Sequence, residues 1–365
     1  MKKILFSATI TDHFYYFHLP YIEMFHDAGW EVHVASHGSR ELPFCDVHHE
    51  IPIARSPFDK SNIKAYKMLR KIIKENDFDI IHCHTPMGSM LTRLAAPKSG
   101  KSEIIYTAHG FHFYKGAPAL NWMIYYPIEK IMSAKTDCLI TINNEDYDFA
   151  LKHFKHPDVK LVNGVGYNSD RYFPVSPEEK LSIRKEKGYD PDEFIIIYVA
   201  EMNGNKNQKM LIDALTLTDN SRLIIAGADN YNGIYKKYAE EKNVAGRVDF
   251  LGHREDIDEL LKMSDVCAAS SIREGLPVNI MEAMACGLPV VASDNRGHRA
   301  LISDGEDGFL VAVNDYKAMA EKINLLKNDK EKYSSFSRKA AENILKFSKE
   351  VVTEDMKKIY YGLRG

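Results

Sequence analysis

Two glutamates eight residues apart, Glu274 and Glu282, flank a proline in the stretch Ser270 to Asp294, SSIREGLPVNIMEAMACGLPVVASD. Pro277 suits the first turn of a helix, because its ring presets φ and a first-turn N–H has no intrahelical acceptor anyway. One acid is therefore expected in a loop and the other inside the helix. The N–H groups at that helix start can hold an anion, and phosphate oxygens fit best. Cys286 and Gly287 end the helix, and Leu288 to Ala292 is an apolar, Val-rich run of the kind buried on both faces of a parallel sheet. Such a unit suits the binding of a nucleotide or a sugar. The bland alternative is a capped helix beside an exposed acid.

A second group of chemically capable residues lies in the first half. His84 closes a short apolar run, and YTAHGFHFYKG carries His109 and His112 among Phe111, Phe113 and Tyr114. A loop this aromatic is costly to expose unless it meets a ligand or a membrane, which places His109 in an active cleft. His82, His84, His109 and His112 could suggest a metal, but no carboxylate stands at ligand spacing, and no metal is expected.

The elements that position these residues alternate. Lys3 to Thr9, Val32 to Ala35, Asp79 to Cys83, Glu103 to Thr107, Cys138 to Ile142 and Val159 to Val162 read as strands. So do Phe194 to Val199, Leu223 to Ala226, Val248 to Leu251 and Val266 to Ala269. Helical segments separate them, including one from His13 closed by Gly29, one over Asn121 to Ala134 interrupted near Pro127, and a helical, charged tail after Ala318. Strand, helix, strand within some 35 residues implies parallel sheets with right-handed crossovers. The turn after the first strand has Thr11 and Asp12 and lacks G-x-G-x-x-G, so a dinucleotide fingerprint is absent. Two α/β, doubly wound Rossmann-like domains facing a cleft are expected, 1–165 and 166–345, with 346–365 a helix returning to the first. Gly164, Gly166 and Pro174 mark the boundary.

A chain of 365 residues, 45% hydrophobic and 27% charged, is a soluble two-domain composition. A net charge of −3 argues against a dedicated nucleic-acid binder. Five scattered cysteines without a CxxC pair fit a reducing, cytoplasmic setting. MKKILFSATI is too short an apolar run for a signal peptide and is taken as a strand. No stretch reaches the roughly 18–20 apolar residues of a spanning helix, so membrane contact would be peripheral. The amphipathic segment SNIKAYKMLRKIIKEN is expected to be capped by Ser61 or Asn62 and to bury Ile63, Tyr66, Leu69, Ile72 and Ile73. Its Lys64, Lys67, Arg70, Lys71 and Lys74 would be a solvated face or a contact with anionic lipid.

The segment EGLPVNIME followed by AMACGLPVVASD resembles the signature of GT-B glycosyltransferases of family GT4. HTPMG, YTAHGFHF, INNEDY, NKNQ, LGHREDI and DGFLV extend the likeness along the chain, closest to transferases of bacterial capsule and exopolysaccharide synthesis. The resemblance implies a metal-independent, retaining transfer of a hexosyl or N-acetylhexosaminyl group. The nucleotide sugar, UDP-linked, is a substrate rather than a cofactor, and the acceptor is a lipid-linked saccharide on the inner face of the membrane. The donor would bind the C-terminal domain and the acceptor the N-terminal one, with polysaccharide assembly proteins as further partners.

Carried over by position, Glu282 would hold the ribose hydroxyls and Glu274 the donor sugar. Gly275, Leu276 and Val278 would give backbone N–H groups to the diphosphate. Lys206 would neutralise it, with His253 and Arg254 near the base. His109 would reach the sugar near its reacting carbon. Thr11, Asp12, His84 and His112 fall on the acceptor side. Glu201 stands where many relatives carry an arginine, for which Arg273 could substitute. Glu274 as a covalent nucleophile is the alternative to same-face attack. A nucleotide-sugar 2-epimerase of the same fold and a catalytically silent assembly subunit are the competing functions.

Overall fold

In the first strand, consecutive residues serve opposite layers: Ile4 and Phe6 enter one apolar cluster and Leu5 another. This period-2 alternation, apolar on both sides, is what a central parallel strand requires. The computed structural model describes residues 1–97, 101–114 and 116–362. Residues 363–365 of the expected terminal helix lie outside them. The chain forms two units, Met1–Val165 with Val352–Gly365, and Gly166–Val351.

The first unit holds strands β1 (Lys3–Ile10), β2 (Glu31–His37), β3 (Val47–Glu50), β4 (Ile80–His84), β5 (Glu103–Ala108), β6 (Cys138–Thr141) and β7 (Asp158–Leu161), in the spatial order 3-2-1-4-5-6-7. Every pairing is parallel. The second holds β8 (Phe194–Val199), β9 (Ser221–Ala226), β10 (Val248–Gly252), β11 (Val266–Ala269), β12 (Val290–Ser293) and β13 (Gly308–Val311), in the order 10-9-8-11-12-13, again parallel. The order reverses beside β1 and β4 in one unit and beside β8 and β11 in the other. Ligands of such sheets bind at the carboxyl ends of those strands.

In the first unit, Tyr21, Ile22 and Phe25 pack in one cluster with Val352, Met356 and Tyr360 of the terminal helix Lys349–Gly362. The helices Ser61–Asn76 and Pro86–Ala95 supply the other layer through Leu69, Ile72 and Leu91. Gly166, at φ +77°, opens the second unit: a Cβ there would lie 2.6 Å from Lys349 Cα. No described helix is long and apolar enough to cross a membrane.

Several local expectations change. The segment after β1 is two helices, Asp12–Phe17 and Leu19–Asp27, because His18 leaves helical geometry (φ −130°) and Pro20 begins a new first turn. The helix Ala119–Ser133 runs through Pro127 without interruption. In Ser61–Asn76 neither Ser61 nor Asn62 caps. Asn62 is buried, accepting from Ala54 N and donating to Ser56 O, while Ile63 is 61% exposed. The buried stripe therefore runs through Asn62, Ala65, Leu69 and Ile72. Pro277 is the residue before the helix Val278–Ala285 rather than part of its first turn, and β12 starts at Val290, two residues later than expected. The edge strands β3 and β13 were not anticipated. VHHE is half-exposed with two histidines, and GFLV is only four residues long.

Candidate functional site

In the second unit the loops after β8 and β11 are stitched together. Asn205 O accepts from Ile272 N at 2.8 Å, Asn205 Nδ2 donates to Arg273 O at 3.0 Å, and Ser270 Oγ donates to Lys206 O at 2.8 Å. Asn203 Oδ1 accepts from Lys206 N at 3.0 Å. These bonds fix Lys206 so that its Nζ donates to Glu274 Oε1 at 2.7 Å. A lysine and a carboxylate thus stand together, the carboxylate four residues ahead of the helix Val278–Ala285. The N–H groups of Val278 and Asn279 precede those of Ile280 and Met281, which Pro277 O accepts, and the helix dipole favours an anion there. Asn279 Nδ2 donates to Val199 O at 2.8 Å, tying that helix to the end of β8.

Glu282 lies one turn into the helix, half-buried. Burial pushes its carboxyl up to about 7, against the opposing pull of a hydrogen bond from Tyr172 and the charge of Arg171. An ionised carboxylate here accepts two hydrogen bonds, as from a vicinal diol.

A segment just beyond the sequence signature completes this wall. Asn295 caps the short helix Arg296–Arg299 and donates from Nδ2 to Ser271 O at 3.0 Å. His298 Nδ1 lies 2.6 Å from Ser293 O. A carbonyl only accepts, so the proton sits on Nδ1 and Nε2 is bare; burial lowers this imidazole to about 4 and keeps it neutral. Gly297 is needed for the approach, since a Cβ there would lie 2.7 Å from Glu274 Cβ. The run NRGH after a Val-rich strand, with a capping Asn, was the sequence signal for these residues.

The remaining expected residues of this unit are more exposed. His253 is exposed, and Arg254 is held by Asp256 at 2.6 Å. Arg273 is exposed. Glu201 Oε2 accepts from Asn230 Nδ2 at 3.3 Å. Gly275, Leu276 and Val278 are half-buried around Pro277.

In the first unit the structure brings His84 and His109 together with two histidines that the sequence reading passed over, His13 and His18. It does not bring His82 or His112 into that group. His82 is occupied on both nitrogens by Tyr360 Oη (2.7 Å) and Thr107 Oγ1 (2.8 Å), and His112 stacks on Tyr125 at 4.6 Å. His112 and His13 line a cavity of about 320 Å³ with Arg55 and Thr85. Thr11 is buried and its hydroxyl is engaged with Ser36 Oγ and Gly38 O, a part of the scaffold; Asp12 pairs with Arg40 at 2.8 Å. The loop aromatics are not offered outward: Phe111 and Phe113 are buried and stacked on each other at 4.9 Å, and Trp122, Tyr126 and Phe149 pack around Phe113 at 5.4–5.6 Å.

INNEDY explains how that loop is held. Asn143 caps its helix by accepting from Asp146 N at 2.8 Å, and Asp146 Oδ2 in turn accepts from Phe111 N at 2.9 Å, two residues from His109. Asn143→Ala is therefore expected to cost about 1 kcal/mol through the lost cap, read as a lowered midpoint in thermal or urea unfolding.

The family of glycosyl transferases group 1 matches residues 179–343, and the glycosyl transferase 4-like family matches residues 3–143. The chain is 46% identical over 367 residues to EpsD of Bacillus subtilis (strain 168), which carries the name of a glycosyltransferase, covering 98% of this chain and 96% of that one. It is 26% identical to the N,N'-diacetylbacillosaminyl-diphospho-undecaprenol alpha-1,3-N-acetylgalactosaminyltransferase of Campylobacter jejuni, over 95% of each chain. Among solved structures it is similar to Anabaena HepE in complex with UDP-glucose, at TM-score 0.77 and 19% identity over 99% of this chain and 100% of that one.

Proposed function

Because the chain belongs to the group 1 glycosyltransferases, we propose that it moves a sugar, with retention, from a UDP-linked donor to a lipid-linked saccharide during exopolysaccharide or capsule synthesis. The observation that carries this reading is the Lys206–Glu274 pair, with Glu274 four residues ahead of the helix that bears Glu282. In the proposed complex the diphosphate takes the helix N-terminus and Lys206, the ribose takes Glu282, and the donor sugar takes Glu274.

Charge develops on the leaving phosphate as the anomeric bond breaks. Donors already fixed in place stabilise that charge without reorganising. The leaving oxygen accepts the proton of the attacking hydroxyl on the same face, so no enzyme nucleophile and no metal at the diphosphate is required. With Glu201 in place of an arginine, Lys206 and the helix terminus carry more of the charge. Two observations support a lipid-linked acceptor: relatives named for diphospho-undecaprenol acceptors, and the exposed basic face of Ser61–Asn76 with Ile63 at its surface, which suits anionic headgroups.

The test is incubation of the purified protein with a panel of nucleotide sugars, with and without a polyprenyl-diphosphate saccharide. Nucleoside diphosphate released only with acceptor is the expected result. Isomerised donor without acceptor would make it an epimerase, and no turnover with any acceptor would make it a silent subunit.

A further inference from the structure

We propose that His13, His18, His84 and His109 form a closed, all-imidazole site in the first unit for one divalent transition metal, with zinc the best chemical match. The four residues come from different elements: His13 from the first helix after β1, His18 from the break between that helix and the next, His84 from the end of β4 and His109 from just past the end of β5. One ligand atom from each lies within 4.8 Å of all the others. The closest separations are His18 Nε2 to His13 Nε2 at 3.1 Å, His13 Nε2 to His109 Nε2 at 3.2 Å, and His109 Nε2 to His84 Nδ1 at 3.3 Å. A tetrahedral ion with metal–nitrogen bonds of roughly 2.0–2.1 Å requires nitrogens about 3.3–3.4 Å apart.

Hydrogen bonding alone does not account for the cluster. Each imidazole nitrogen has either one hydrogen or one in-plane lone pair. His13 Nε2 and His109 Nε2 each stand in two of the three contacts. If His18 and His84 donate to them, the two inner nitrogens face each other lone pair to lone pair. If instead an inner nitrogen donates to the other, its hydrogen and the other's lone pair are both used and neither outer contact is a full bond. If one inner nitrogen donates outward, the inner contact has no hydrogen of its own. At most two of the three contacts can be sound hydrogen bonds. A proton is a poor remedy, because burial and mutual repulsion hold His13, His18 and His84 well below the usual imidazole range and burial holds His109 at about 4. A cation accepting four lone pairs satisfies every inward nitrogen at once.

Nor are these rings simple core filler. His18 Nδ1 and His84 Nε2 are buried with no hydrogen-bond partner among the described residues, a cost that apolar side chains of similar size would not carry. The absence of a carboxylate, which argued against a metal in the sequence, is no obstacle, since four neutral imidazoles suit a borderline ion such as zinc. With four protein ligands the site is closed and structural. It would pin the two helices after β1 to the ends of β4 and β5, and leave the Nδ1 edge of His109 turned away from the ion.

The test uses full-length protein purified without a metal-affinity step. Elemental analysis is expected to give close to one zinc per chain, either as isolated or after stripping and reloading. Cobalt(II) loaded into the stripped protein is expected to show the visible d–d bands of a tetrahedral nitrogen site. His18→Ala, lacking a ligand, is expected to weaken zinc by at least about tenfold, the low end of what even outer-sphere partners contribute. No stoichiometric metal uptake by the wild-type protein would overturn the proposal, whether or not any variant folds. Octahedral cobalt spectra, or unchanged uptake in a folded His13→Ala/His18→Ala variant, would overturn it equally. None of these readouts depends on sugar transfer.

Discussion

Lys206→Ala is expected to lower kcat by about 10²- to 10³-fold, the cost of losing one fixed donor at a site of developing negative charge, and to weaken donor binding as well. The lysine is held at both ends: its backbone N–H is bonded to Asn203 and its carbonyl to Ser270, and its ammonium meets Glu274 at 2.7 Å. Removing it takes away a cation and also leaves the Glu274 carboxylate, a half-buried group, without its counter-charge near an incoming diphosphate. Both effects act in the same direction. Lys206→Arg keeps the charge and should recover part of the loss, while Glu274→Gln should reduce turnover with donor affinity less affected. Steady-state kinetics with calorimetric donor titration read all three variants. Unimpaired donor affinity in Lys206→Ala would remove Lys206 from the diphosphate, and near-normal transfer by Glu274→Gln would remove Glu274 from the sugar.

The second large effect is at Glu282 and depends on pH. The folded carboxyl titrates at about 7 against an ordinary 4.5, chiefly because it is buried. Between those values the native protein holds a proton that the unfolded chain has released. Stability contributed by this group is therefore full below about 4.5 and is lost as pH rises through 7, by up to about 3 kcal/mol. Glu282→Gln should consequently raise the unfolding midpoint of the ligand-free protein at pH 8 and change it little at pH 4. The same substitution removes a charged acceptor from the ribose, worth about 1.5–3 kcal/mol, so UDP affinity at pH 8 should fall by about 10- to 100-fold. In the wild type, UDP affinity should improve as pH rises to about 7 and then level off. A variant that binds UDP normally would displace Glu282 from the ribose.

Much of the architecture could be read from the chain because buried parallel strands leave continuous apolar runs. FIIIYV and VCAA match β8 and β11 residue for residue. The edge strand VHHE carries no such run and was invisible. Ile63 was misplaced because helical periodicity ranks residues by polarity, whereas Asn62 gains two hydrogen bonds inside and so displaces the isoleucine to the surface. The pairing of Lys206 with Glu274 joins residues 68 apart in sequence. Family resemblance assigned the two residues separately to one donor, and their direct contact is encoded by no local pattern. Tyr172 beside Glu282 was missed for the same reason, whereas His298 lay in the capped run NRGH, whose local signal gives a short helix but not its contact with the Glu274 loop. His13 and His18 were read as part of a helical stripe, and only the break at His18 turns the second ring toward the first. The aromatic loop was misjudged in the opposite sense: Phe111 and Phe113 find their apolar partners on the neighbouring helices, which no reading of the loop by itself supplies.

The most direct measurement is the configuration of the new glycosidic bond. Protein supplied with an α-configured UDP-sugar and a polyprenyl-diphosphate saccharide should yield an α-linked product by NMR, with UDP released in equal amount. A β-linked product would contradict same-face attack at the Lys206–Glu274 site, and UDP release without any linked product would contradict glycosyl transfer itself.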